Sequence, residues 1–128
     1  DIQKRELDGS MLTMKANDPK WSYAKVDTEG LVSEVIEKVV ISDEATVGIY
    51  NFSKGTLFCR YADYMIQEDI RSKGEFYVAP VYTLMAKDEY KIGIYNIGTE
   101  ANGMYGLGIP KDLESFLANE VLVKATDF

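Results

Sequence analysis

Residues 45–66 read ATVGIYNFSKGTLFCRYADYMI, and a change of period inside this stretch decides the fold. Residues 45–52 form an apolar run rich in β-formers, the pattern of a buried strand. Leu57, Phe58, Tyr61, Ala62, Met65 and Ile66 then recur at helical spacing, which predicts a helix over 54–69. Ser53 stands in the position of its N-cap. A strand feeding directly into an amphipathic helix is the unit of an α/β protein.

Upstream, residues 10–16 (SMLTMKA) alternate in side-chain character, as a strand does. Asn17-Asp18-Pro19 signals a turn. Residues 21–26 (WSYAKV) and 31–38 (LVSEVIEK) read as two strands joined by Asp27-Thr28-Glu29-Gly30, so 21–38 is a hairpin. Downstream, a helix is expected over 75–87. Phe76, Val81, Leu84 and Met85 would form its buried face, with Pro80 imposing a break or a late start. Residues 90–97 (YKIGIYNI) read as a strand and 98–108 as a loop. Pro110 opens a last helix with Leu113, Phe116 and Leu117 facing inward. Residues 121–125 read as a short closing strand. The fold class is therefore α/β, a mixed β-sheet with flanking helices, in one domain or fragment spanning 1–128.

Composition narrows the chemistry. The 128 residues carry 21 acidic and 14 basic side chains, a net charge of -7 that repels nucleic acid and anionic membranes. Mean hydropathy is -0.18, ordinary for a soluble globular chain. No run is apolar enough to span a bilayer, and the opening DIQKRELDG lacks the apolar region of a signal peptide. The single cysteine, Cys59, allows no internal disulfide, which fits a cytoplasmic location. The absence of histidine removes Ser-His-Asp triads and imidazole acid–base work. What remains is carboxylates, lysine, arginine, tyrosine, backbone amides, or a hard metal ion held by oxygen.

Three segments are candidates for chemistry. Glu37-Lys38 ends the third strand, and ligands gather at strand ends in α/β sheets. Lys38 offers a compact charge for phosphate and Glu37 an acceptor for hydroxyls; a solvated ion pair is the alternative. Glu75, beside Gly74, is either a polyol acceptor or a favourable charge at a helix start. The glycines of residues 103–110 (GMYGLGIP) either permit close approach to a ligand or only make turns. The segment matches neither the phosphate-binding loop of nucleotide hydrolases nor the dinucleotide fingerprint. Nine tyrosines suit a sugar site or half-buried packing. Asp18, Asp27, Asp43 and Asp112 have no pairing diagnostic of Mg2+ and read as turn or cap residues.

In order and spacing, WSYAKVDTEGLVSEVIEK, ATVGIYNF, GEFYVAPVY and MYGLGIPKDLESF resemble the second half of sugar-phosphate nucleotidyltransferases. These are the pyrophosphorylase-type enzymes that make nucleotide sugars, similar in fold to GT-A glycosyltransferases. The resemblance covers about residues 8–118 and is strongest to a subgroup from capsule and surface-polysaccharide gene clusters. It implies that Glu37-Lys38-Val39 stands for an E-K-P motif whose glutamate holds the sugar and whose lysine holds its phosphate. It also implies that Tyr23 and Ala24, Thr46 and Val47, and Glu75 line the sugar pocket. Residues 108–113 would begin the helix that the family opens with G-T-P-E-D-L.

Three departures stand out. The family's W-x-D-x-G motif brings an Asp to the catalytic Mg2+, and here Gly106 occupies that place. Val39 replaces the proline of the E-K-P turn. The family's G-x-G-[ST]-R nucleotide loop is absent, so nucleotide would be held only by an N-terminal half that these residues lack. The resemblance thus implies a part of a transferase that supplies the acceptor pocket for a sugar phosphate, and that is inactive alone. Two other readings stay open, a GT-A glycosyltransferase fragment and a non-catalytic binding or assembly module. A sheet cut at its middle would expose an edge, which leads to the expectation of a homodimer or an exchanged strand.

Overall fold

The computed structural model describes residues 3–128. Its strands are β1 (Gly9–Lys15), β2 (Tyr23–Val26), β3 (Val32–Ile36), β4 (Glu44–Phe52), β5 (Ile92–Glu100) and β6 (Gly103–Met104). Its helices are α1 (Gly55–Gln67), α2 (Ala79–Lys87), α3 (Pro110–Leu117) and α4 (Val121–Thr126). The strands form one mixed sheet in the order β3-β2-β4-β1-β5-β6. β1 pairs antiparallel with β4 and parallel with β5, while β2 and β3 form the expected hairpin.

α1 and α2 cover one face of the sheet. Met11, Ala24, Val35, Tyr61, Met65, Val81, Tyr82, Met85 and Ile92 meet there in the main core. Tyr82 is fully buried, stacks on Phe52 at 4.7 Å and donates its hydroxyl to the Asn51 carbonyl at 2.8 Å. A Cβ at Gly9 would lie 2.7 Å from the Tyr82 ring, so glycine lets β1 pass beneath it. The other face carries a smaller cluster of Met14, Tyr23 and Ala45, with Trp21, Ile41, Val47 and Met104 against it. Within the β1–β4 ladder the register slips between Met11 and Thr13, and Gly48 on the facing strand has φ 82.

The sheet edges are partly closed. The Thr83 hydroxyl accepts from the Val35 amide at 2.8 Å and donates to its carbonyl at 3.0 Å, tying α2 to β3. On β5, Arg5 Nη1 donates to the Ile94 carbonyl at 3.0 Å, and Asn96 Oδ1 accepts from the Gly98 amide at 2.9 Å. These contacts shorten the edge on which strand exchange between copies would depend.

Several local expectations need correction. The N-cap of α1 is Lys54, without a side-chain hydrogen bond, rather than Ser53. α2 starts at Ala79 with Pro80 in its first turn, the one place in a helix where the missing amide costs nothing. Phe76 therefore lies outside it, 37% exposed. β5 runs on to Glu100, and β6 follows inside the expected loop. The short closing strand is instead helix α4, where Asn119 Oδ1 accepts from the Val121 amide at 2.9 Å and satisfies a donor at the helix start. α3 forms as expected, yet it buries no residue, and Leu113 and Leu117 are exposed.

Candidate functional site

The site grows from the β2–β3 hairpin. Asp27 Oδ1 accepts from the Glu29 and Leu31 amides at 2.9 and 3.0 Å, and Gly30 takes φ 78, which closes the turn. β3 ends at Ile36, and Lys38 adopts φ 56, so the chain reverses directly after Glu37. Ser22 Oγ donates to Glu37 Oε2. The Ser22 carbonyl accepts the Thr46 amide at 2.8 Å, and the Thr46 and Tyr50 hydroxyls are 3.0 Å apart. These contacts link the end of β3 to β4.

The segment before α2 completes the group. Tyr77 donates its hydroxyl to Glu75 Oε2 at 2.8 Å, and Lys38 Nζ lies 5.9 Å from the centre of the Tyr77 ring. The hydrogen bond to Glu75 pushes the Tyr77 pKa up, and the Glu37 charge adds to the effect. Burial pushes the Tyr50 pKa up; the Thr46 hydroxyl opposes this and the Glu37 charge reinforces it. The Glu37 charge thus reaches both tyrosines. Two carboxylates, one ammonium and several hydroxyls converge, a donor and acceptor set suited to a phosphorylated polyol.

The structure therefore brings together Glu37, Lys38, Thr46 and Glu75. Tyr23, Ala24 and Val47 lie elsewhere. Tyr23 is fully buried in the opposite-face cluster, with its hydroxyl on the Asp18 carbonyl at 2.7 Å. Val47 packs on the same cluster, and Ala24 is fully buried in the main core. Strand alternation separates Thr46 from Val47. Ser22 escaped the sequence reading, because a serine next to a strand carries no signal until its partner is known. It directly precedes β2, two residues upstream of Ala24.

A second polar group occupies the β1–β4–β5 ladder. Glu44 accepts from Thr13 at 2.7 Å, from Asn96 at 2.9 Å and from Lys15 at 2.6 Å. Burial pushes the Glu44 pKa up, but these three donors outweigh it and hold the carboxyl below its ordinary value.

The glycine-rich segment borders a cavity of about 330 Å³ lined by Glu100, Tyr105, Gly106, Asp112, Phe116 and Asn119, among others. A Cβ at Gly106 would lie 3.2 Å from Asp112 Oδ2. One carboxylate thus stands beside the position where the resemblance expects another. Among the described residues no three acidic, histidine or cysteine side chains gather where a metal ion could be held.

A mixed sheet in this order, with two helices on one face, is a fold shared with solved nucleotidyltransferase structures. The chain is similar to a nucleoside-diphosphate-sugar pyrophosphorylase of Vibrio cholerae, with TM-score 0.82 and 22% identity over 91% of this chain and 49% of the other. It is also similar to a Bacillus anthracis protein described as a glucose-1-phosphate thymidylyltransferase, in complex with sucrose. There the TM-score is 0.67 and the identity 16%, over 99% of this chain and 48% of that one. A CMP:2-keto-3-deoxy-manno-octonic acid synthetase bound to CTP matches with TM-score 0.54 and 13% identity, over 97% and 53% of the two chains. The chain spans about half the length of each. No protein-family model and no curated protein sequence matches it.

Proposed function

We propose that this chain is the acceptor-binding part of a sugar-1-phosphate nucleotidyltransferase that makes a nucleotide sugar for surface-polysaccharide synthesis. The convergence of Glu37, Lys38 and Glu75 at the hairpin end, within a nucleotidyltransferase-like fold, carries the reading. Lys38 would hold the sugar phosphate, while Glu37 and Glu75 accept hydrogen bonds from hydroxyls. Catalysis in such an enzyme is mainly positioning: the acceptor phosphate oxygen is held in line with the α-phosphate of a nucleoside triphosphate. Lys38 fixes the attacking phosphate, and Ser22 fixes the Glu37 carboxylate that orients the sugar. On this reading the nucleotide is not held by these residues, and the 128 residues alone are expected to release no pyrophosphate. The Mg2+ implied by the resemblance belongs to that complete site, and no step here relies on it. On this reading the activity is cytoplasmic.

Thermal unfolding with added ligands tests the proposal against its rivals. A sugar-1-phosphate alone raises Tm if the chain is an acceptor pocket. Stabilisation by a nucleotide sugar alone points to a glycosyltransferase. Stabilisation by neither points to an assembly module.

A further inference from the structure

The polar group around Glu37 is one wall of the site, and the adjoining wall is apolar. Gly48, Tyr50, Phe52, Gly55, Phe58 and Val78 line an open groove of about 400 Å³ without a charged side chain. Gly48 and Gly55 leave space there, since a Cβ at either would meet nothing within 4 Å. Phe58 and Val78 continue into a second hollow of about 160 Å³, shared with Met65, Ile66, Phe76 and Tyr77. Tyr50 and Tyr77 belong to both walls. Their hydroxyls reach Thr46 and Glu75, and both residues also line the hollows.

A sugar with hydroxyls at every position, held by Glu37 and Glu75, would lay some of them against Phe58 and Val78. The Phe58 and Val78 side chains offer them no partner, and an unmatched hydroxyl is penalised. A methyl or acyl group in the same place finds apolar surface, and one methylene in an apolar pocket changes discrimination by about tenfold or more. We infer that the acceptor is a sugar phosphate bearing an apolar substituent, a deoxy or acyl group, seated in the groove between Tyr50 and Val78. The inference rests on the sugar-phosphate reading above and narrows its substrate class. Continuity of the groove with the polar group, through the two tyrosines, is what selects this occupant.

The test is calorimetric titration of the intact chain with glucose-1-phosphate, 6-deoxyglucose-1-phosphate and N-propanoylglucosamine-1-phosphate, each on wild type and Val78→Asn. Val78 is 41% exposed, so the substitution leaves the core intact. The expected result is that at least one substituted phosphate binds about tenfold tighter than glucose-1-phosphate, and that Val78→Asn removes most of the preference. Equal or tighter binding of glucose-1-phosphate overturns the inference and leaves the sugar-phosphate reading standing. A preference that survives Val78→Asn unchanged also overturns it, because the substituent then lies elsewhere. Binding of none of the three overturns the sugar-phosphate reading, and this inference falls with it.

Discussion

Ser22 Oγ donates to Glu37 Oε2 across the β2–β3 hairpin, while the Ser22 carbonyl accepts the Thr46 amide at 2.8 Å. A nearly buried serine thereby ties together two residues of the candidate site from different strands. Ser22→Ala removes only the side-chain contact and frees the Glu37 carboxylate to turn away. A hydrogen bond to a charged group contributes about 1.5–3 kcal/mol. The expected outcome in titration calorimetry is a loss of sugar-1-phosphate affinity of about tenfold or more. A drop in Tm with unchanged affinity would make Ser22 a structural residue only.

Acid should weaken the fold through Glu44. Its folded pKa is depressed below the ordinary 4.5, because Lys15, Thr13 and Asn96 together outweigh the opposing cost of burial. A depressed carboxyl contributes stability that is complete above its unfolded pKa and is lost as pH falls through its folded one. Urea midpoints should hold from neutral pH down to about 4.5 and fall below it. Glu44→Gln should flatten that acid limb and cost about 1–3 kcal/mol at neutral pH, through unsatisfied donors.

Alkali should weaken it through Tyr61. Burial and the hydrogen bond to Asp88 Oδ2 at 2.5 Å push the hydroxyl up to about 12 from 10. The unfolded chain then loses its proton first, so stability is complete below pH 10 and is lost as pH rises toward 12. Each such tyrosine contributes a slope of at most about 1.4 kcal/mol per pH unit. Tyr82, raised further by its burial, adds to the same limb. Tyr61→Phe should reduce the slope of stability against pH above 10, measured by chemical denaturation.

The C-terminal helices should be the weakest part of the chain. α3 and α4 bury none of their residues, whereas β1 carries the fully buried Met11, Thr13 and Met14. Amide exchange should be fast over both helices and slow in β1, β4 and β5. Leu117→Glu, at a position 55% exposed, should change global stability by less than about 0.5 kcal/mol. Slow exchange in α3 would mean that this face is covered in solution.

Much of the fold could be read from side-chain period. The run 45–52 and the helix beginning near Gly55 were legible because tertiary packing uses the pattern the sequence displays. Residues 121–125 misled because β-branched Val121 and Val123 favour a strand, but among the described residues no strand pairs with them, and Asn119 Oδ1 accepts the Val121 amide at the start of a helix instead. At the candidate site, Glu37, Lys38 and Glu75 could be singled out as candidates from residue type and position. Their meeting could not be read there, since it depends on how far the segment before α2 reaches toward the hairpin. Tyr23 and Val47 looked equivalent to their neighbours Ala24 and Thr46, and strand alternation sends them to the opposite face.

The central claim is that Lys38 holds the phosphate of a sugar phosphate at the end of the β2–β3 hairpin. Titrating one sugar-1-phosphate into wild type and Lys38→Ala tests it most directly. Lys38 is exposed, so its removal leaves the fold intact and isolates the charge. Saturable binding to wild type, weakened about tenfold or more in Lys38→Ala, is the predicted result. Equal binding by both proteins, or binding by neither, would contradict the assignment.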